Sequence, residues 1–240
     1  MEIALVTGGS SGIGRAIVEQ FIKEKKYVYF TYNKNIEGAN KVVNQYGDDN
    51  CSALKCSVEN NSEADEVVNH ILKERKKIDI LVNNAGINYD VPFLLMNMEK
   101  FINTININFL GAVYFSKLVI KNMISNKRGS IINISSISSF TANPGQTNYA
   151  SSKAALNIFS KSLAKEVGKF NVRVNCVAPG MTRTNIYEKL PAEVKNNLVR
   201  NIPLNRIAEP SEIANLVSFL ASDLSSYITG SVITIDGGTT

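Results

Sequence analysis

The sequence predicts an α/β fold: a doubly wound, seven-stranded parallel sheet with helices on both faces. Three observations carry that prediction. Short β-rich apolar runs alternate with longer helical patterns along all 240 residues. The segments between successive runs are of crossover length, as parallel pairing requires. A glycine-rich turn, Thr7-Gly8-Gly9-Ser10-Ser11-Gly12-Ile13-Gly14, joins the first run to the first helix.

Taken in order, residues 3–6 read as a buried strand running into that turn, and 13–25 as the helix behind it. Residues 27–31, 53–55 and 78–82 are the next three strands; 39–46 and 62–76, between them, carry helix-like apolar spacing. A long helical pattern covers 101–123, and 130–134 is the fifth strand. Residues 148–167 are helical, 173–177 form the sixth strand, 211–221 a helix and 232–235 the last strand. With no linker, repeat or low-complexity segment, residues 1–240 read as one domain. The least regular stretch, about 179–206, holds three prolines and mixed polarity, and is expected to be a lid or binding loop.

A chain of this length can bury a sizeable core. Lys and Arg number 26 against 21 Asp and Glu, a net charge of +5. The cations are scattered, with small clusters at 23–26 and 75–77 that suit solvated helix ends. Nucleic-acid binding needs a concentrated basic stripe with interleaved aromatics, so no nucleic-acid partner is expected. Mild attraction for phosphorylated or acidic ligands is. Three cysteines, Cys51, Cys56 and Cys176, make no disulfide framework and fit a reducing compartment. Cys51 and Cys56 lack the spacing and His partners of a zinc site, and no catalytic metal is expected. The chain opens on a strand, not a signal peptide, and no apolar run reaches the roughly 18 residues of a membrane span. The expectation is a soluble, cytoplasmic protein with no membrane partner.

Two patterns carry chemistry. Glycines at 8, 12 and 14 let the backbone turn tightly and approach a diphosphate, with the free N–H groups of a helix N-terminus behind them. The spacing is neither Gly-x-Gly-x-x-Gly nor a P-loop; the alternative reading is a glycine turn that packs helix on strand. Farther along, Tyr149 and Lys153 stand four apart on a helical segment and share a face. A phenol with a reference pKa of about 10 is a poor base. A nearby cation favours its ionised form, so the pair can exchange a proton with an alcohol or carbonyl oxygen. His70 is the only histidine and sits in a polar helix, which excludes a serine hydrolase.

Six motifs then fall in order: Thr-Gly-x-x-x-Gly-x-Gly at 7–14, Asn83-Asn84-Ala85-Gly86, Asn108, Ser136 thirteen residues before Tyr149, Tyr149-x-x-x-Lys153, and Pro179-Gly180 with Thr184. Together they resemble the short-chain dehydrogenase/reductase family across essentially the entire chain, and within it most resemble the bacterial 3-oxoacyl-acyl carrier protein reductases. The runs 145–150, 174–180 and 226–230 carry the subgroup likeness. The resemblance implies a Rossmann-type domain and NAD(P)-dependent interconversion of a ketone and a secondary alcohol. The expected substrate is a ketone, small or held on acyl carrier protein as a 3-oxoacyl thioester of fatty acid biosynthesis. A dehydrogenase of a sugar, steroid or small alcohol is the alternative, and a non-catalytic cofactor-binding regulator a remote one.

The implied site follows residue by residue. Gly8, Ser10, Ser11, Gly12, Ile13 and Gly14 would cradle the diphosphate, and Asn33 and Lys34 would lie near the adenosine ribose. Ser57 and Val58 would lie near adenine, where the family usually has Asp for Ser57; a plain strand-end turn residue is the other reading of it. Asn84, Ala85 and Gly86 would meet the cofactor's ribose, with Pro179, Gly180, Thr182 and Thr184 around the nicotinamide. The family's acidic ribose-binding position falls at Tyr32 with Lys34 close by, which favours NADP(H), although Ser11 stands where NADP-preferring relatives often have Arg. Tyr149 would donate the proton, Ser136 would hold the carbonyl oxygen and Lys153 would grip the ribose while biasing Tyr149 toward ionisation. Asn108 would hold a water that links Lys153 to solvent, or cap a helix irregularity. Lys127 and Arg128 fall where relatives dock acyl carrier protein, or form a solvated turn. Helices 101–123 and 148–167, with Phe109, Val113, Phe115, Leu156 and Phe159, imply a homotetramer, or a dimer; run 226–230 and the last strand would supply a second interface.

Overall fold

The computed structural model describes residues 1–188 and 191–240; positions 189 and 190, inside the expected lid, lie outside the described residues. The strands are β1 (Ile3–Val6), β2 (Tyr27–Tyr32), β3 (Cys51–Lys55), β4 (Ile80–Asn83), β5 (Gly129–Ile134), β6 (Val172–Pro179) and β7 (Val232–Ile235). All pair in parallel in the order β3-β2-β1-β4-β5-β6-β7. The helices are α1 (Gly12–Lys23), α2 (Ile36–Tyr46), α3 (Asn61–Arg75), α4 (Met98–Ile105), α5 (Gly111–Ser125), α6 (Ser138–Thr141), α7 (Thr147–Val167), α8 (Asn185–Glu188), α9 (Ala192–Arg200) and α10 (Pro210–Ala221).

Strand alternation divides the core into two layers. Ala4, Val6, Val28, Phe30, Ile80, Val82, Ile132 and Val177 face α1, α2 and α10, meeting Ile17, Phe21, Val42, Ile213 and Leu220. Ile3, Leu5, Tyr29, Leu81, Ile131 and Val174 face α3, α5 and α7, meeting Ile71, Phe115, Val119 and Val167. Both faces are covered, which is why β1 and residues 80–82 of β4 are continuously apolar. Burying a side chain the size of Phe21 or Phe30 is worth about 1.5–3 kcal/mol each.

Several boundaries differ from those expected, each for a local reason. Asn97 accepts from the N–H groups of Glu99 and Lys100, so α4 starts at Met98 and not at 101. The expected helix 101–123 is interrupted by a π-helical turn, Asn106–Leu110, which inserts a wider turn where Asn108 points inward. Ile78 donates to the Asn122 side chain, and β4 begins two residues later, at Ile80. Glu209 and Glu212 form a reciprocal cap with Pro210 in the first turn, placing the start of α10. The stretch read as irregular contains α8 and α9, and among the described residues no helix is long and apolar enough to cross a membrane. Cys51, Cys56 and Cys176 are buried free thiols.

Glycine is needed where α1 lies down on β1. A Cβ on Gly14 would stand 2.2 Å from the Gly8 carbonyl oxygen and 2.4 Å from Asn84 Nδ2. Gly14→Ala is therefore expected to push α1 off the sheet and cost about 1–3 kcal/mol in urea denaturation. Gly168→Ala, where an added Cβ meets nothing within 4 Å, is the control and should be near neutral; equal stability of the two variants would contradict this packing.

Candidate active site

The order of the sheet reverses between β1 and β4, and the loops leaving their carboxyl ends part there, opening the crevice in which doubly wound folds bind ligands. Thr7 and Asn84 tie the two loops together. Thr7 Oγ1 accepts from the N–H groups of Asn84 and Ala85, both at 3.0 Å. Asn84 Nδ2 returns bonds to the carbonyls of Thr7 (2.9 Å) and Gly8 (3.1 Å). The Asn84 side chain therefore spends its amide on the latch while still lining the cleft.

Two cavities, of about 420 and 470 Å³, share Ile13, Asn84, Gly86, Ile87 and Thr184 and form one continuous cleft. The first is lined by Gly8, Ser10, Ser11, Gly12, Ile13, Gly14, Asn33, Lys34, Ser57, Val58 and Ala85 among others. The second is lined by Ser136, Tyr149, Lys153, Pro179, Gly180 and Thr182. Every expected cofactor residue thus borders the cleft. The first cavity fits a dinucleotide's anionic half. Gly12 takes φ +54° in the turn, and Ser11 makes no side-chain cap, so the N-terminal turn of α1 keeps its N–H groups for a ligand. Among the described lining residues there is no carboxylate, and Lys34 is the one charged side chain. Ser57 accepts from Asn33 Nδ2 at 3.1 Å, and its N–H is held by Glu63.

The other half of the site is built on α7. Asn148, fully buried at its start, donates to the Tyr89 carbonyl and to Thr104, both at 3.1 Å. Its oxygen accepts from the Tyr149 N–H at 2.8 Å. One turn on, the buried Lys153 donates from Nζ to the Ile134 carbonyl at the end of β5, 2.7 Å away. Its Nζ stands 5.7 Å from the centre of the Tyr149 ring. Ser136 Oγ accepts from the Ser138 N–H at 3.1 Å, which leaves its own hydrogen to donate. Ser135 Oγ instead bonds the Lys153 carbonyl, which separates the two serines' roles.

Electrostatics correct one expectation. Burial pushes the Tyr149 phenol above its ordinary value; the Ser136 hydroxyl opposes that rise and Asp90 adds to it. The bias toward ionisation expected from Lys153 does not prevail over that burial. Lys153 is itself desolvated, its pKa pulled down to about 8, and its Nζ is directed at Ile134. Asn108 does not border either cavity. Its oxygen accepts from the Ile87 N–H (2.8 Å), and its Nδ2 donates to the Ile87 carbonyl (2.9 Å) and Ser152 Oγ (3.1 Å). Ser152 passes the contact to the Tyr149 carbonyl at 2.7 Å. Asn108 therefore joins the loop after β4 to α7, on the π turn where the sequence allowed an irregularity.

Asn148 and Ser152 escaped the sequence reading, although a polar residue directly before Tyr149 was a usable signal. So did the wall of Ile137, Gln146, Met181, Leu198 and Ile202. Arg128 lies at the amino end of β5, opposite the cleft, and pairs with Glu2 and Asp223. Within one chain it is not at the site entrance. Among the described residues no group of three His, Cys, Asp or Glu side chains is placed to hold a metal ion.

This fold and this constellation define a class. A family profile described as "Enoyl-(Acyl carrier protein) reductase" matches residues 8–240, and the chain belongs to the short-chain dehydrogenase/reductase family, nicotinamide-dependent oxidoreductases. It is 41% identical over 238 residues to the 3-oxoacyl-[acyl-carrier-protein] reductase FabG of Chlamydia trachomatis, covering 98% of this chain and 96% of that protein. It is 39% identical over 246 residues to the protein of the same name from Thermotoga maritima, covering 99% and 97%. A 3alpha-hydroxysteroid dehydrogenase of Mediterraneibacter gnavus is 38% identical over 240 residues, covering 98% and 96%.

The depressed Lys153 gives a signed prediction. Its pKa is about 8 in the fold against an ordinary 10.5, so the native state binds fewer protons than the unfolded chain between those values. Its destabilising effect is complete below about pH 8 and fades as pH rises toward 10.5. Lys153→Met is expected to be more stable than the parent at pH 7, by up to about 3 kcal/mol, with the gap closing near pH 10. Melting curves at both pH values check it, and a gap independent of pH would contradict the assignment.

Proposed function

We propose that this protein reduces the 3-oxo group of an acyl thioester held on acyl carrier protein to a 3-hydroxyl, in fatty acid biosynthesis, using NADPH. The observation that carries the reading is the convergence of Ser136, Tyr149 and Lys153 on one cavity that opens into the nucleotide-binding half of the cleft. Among that cavity's described lining residues, Lys153 is the one charged side chain. A neutral ketone suits such walls; a substrate carboxylate or phosphate would lack a dedicated partner.

The cofactor, when bound, supplies the hydride. Tyr149 donates a proton to the substrate oxygen, and a phenol pushed above its ordinary pKa is held protonated for that task. Ser136 donates a hydrogen bond to the same oxygen and stabilises the charge that develops there. Lys153 binds the nicotinamide ribose, and Asn108 holds the loop after β4 against α7 so that Tyr149 and Lys153 keep their spacing. Lys34, with no carboxylate lining the first cavity, favours the 2′-phosphate of NADP(H).

A homotetramer accounts for the apolar side chains left outside the core. Leu94 (94% exposed), Met98, Ile102, Leu110 and Ile158 are exposed on or beside α4, α5 and α7. Tyr227 stands fully exposed near edge strand β7. Phe115 and Leu156 are core residues, whereas Phe109 and Phe159 stack edge to face at 6.1 Å on the partly buried face.

NADPH oxidation with an acetoacetyl thioester, a 2-enoyl thioester, a 3-oxosteroid and simple ketones tests the activity. The 3-oxoacyl thioester is expected to be the best substrate and NADPH to outrun NADH at matched concentration. Tyr149→Phe is expected to lose at least about 100-fold in kcat. Near-normal turnover of the Phe variant, or preference for NADH, would refute the corresponding assignment. In sedimentation velocity the parent should run as a tetramer and Ile158→Asp as a smaller species; a monomeric parent overturns the assembly.

A further inference from the structure

We infer that Ser139 and Asn157 are positioning residues for Ser136, locking its carbonyl-binding hydroxyl to the same helix that carries Tyr149 and Lys153. The inference rests on the reductase reading above. Residues 149, 153 and 157 follow at intervals of four and share one face of α7. The first two reach the cleft. The third, Asn157, is 5% exposed and reaches the α6 turn instead: its Nδ2 donates to Ser139 Oγ at 2.8 Å. Ser139 Oγ donates in turn to the Ser136 carbonyl at 2.6 Å, which also receives the Ser139 N–H at 3.1 Å. The backbone on both sides of Ser136 is fixed, since Ser135 N–H bonds Val177 and Ile137 N–H bonds Pro179.

Packing alone does not explain Asn157. Its Oδ1 is buried with no hydrogen-bond partner, a cost that an apolar side chain of the same size would avoid. What the amide gains is the bond to Ser139. The Ser136 hydroxyl and the Tyr149 phenol must meet one substrate oxygen, and errors of about 0.5 Å matter in such sites. Tying both to α7 makes their separation a property of one rigid helix rather than of two loops.

The test uses the full chain. Asn157→Leu and Ser139→Ala are each expected to lower kcat for the ketone about tenfold, with NADPH affinity by fluorescence titration within about twofold of the parent. Ser139→Thr, which keeps the hydroxyl, should restore most of the rate. In a Ser136→Ala background, Asn157→Leu should cost no more than about twofold further, because the group it positions is gone. A tenfold loss that persists in that background, or a normal kcat in both single variants, overturns the inference. Should Asn157→Leu not fold, Ser139→Ala carries the same comparison. A crystal structure of either variant gives a readout independent of turnover: Ser136 Oγ is expected to shift by about 0.5 Å or more or to change rotamer, and an unmoved Ser136 overturns the inference. A parent chain that reduces no ketone would instead sink the functional reading.

Discussion

The hydrogen bond from Lys153 Nζ to the Ile134 carbonyl, 2.7 Å long and buried at the wall of the cleft, is the contact on which the site's geometry depends. It fastens α7 to the carboxyl end of β5, from which the chain turns into Ser135 and Ser136. An ammonium in so apolar a place is unfavourable on its own account, and its pKa falls to about 8 for that reason. The surrounding structure bears the cost. Asn148 anchors the start of the helix to the Tyr89 carbonyl and Thr104, and the chain Asn108–Ser152 braces its first turn against the loop after β4. These polar contacts specify one orientation of α7 where apolar packing alone would tolerate several.

That orientation decides the electrostatics of Tyr149. Desolvation outweighs every neighbour and keeps the phenol protonated. A protonated phenol beside a serine hydroxyl is a donor pair, suited to an oxygen that gains charge as hydride arrives. The cleft divides its labour accordingly. The β1 and β4 loops offer backbone N–H groups and no carboxylate to an anionic ligand, whereas the far wall is neutral apart from Lys153.

Most of the fold was legible because parallel strands buried on both faces read as continuous apolar runs, and the glycine turn marked the first crossover. The glycine loop, Asn84–Gly86, Ser136, Tyr149, Lys153 and the 179–184 segment, all bordering the cleft, were legible through motifs in order and the resemblance they carry, whereas the wall of Ile137, Gln146, Met181, Leu198 and Ile202 was not. What escaped depends on tertiary contact. The π turn at Asn106–Leu110 leaves no break in the apolar pattern, so the long helix read as continuous. The direction of the Tyr149 shift turns on burial, which a pair of residues four apart does not encode. Arg128 looked available for docking because its partners, Glu2 and Asp223, lie 126 and 95 positions away in sequence. Asn157 was invisible as a functional residue because its partner Ser139 arrives from another turn.

The central claim is that the site delivers a proton and a hydride across a carbonyl, not across a carbon–carbon double bond as the description of the matching family profile alone would suggest. Mass spectrometry of the product formed from an acetoacetyl thioester with NADPH deuterated at the transferring position tests it most directly. The expected result is a 3-hydroxyacyl product with one deuterium on the carbon that bears the new hydroxyl. No labelled alcohol from the 3-oxo substrate, with label instead entering a saturated acyl chain from the 2-enoyl thioester, would contradict it.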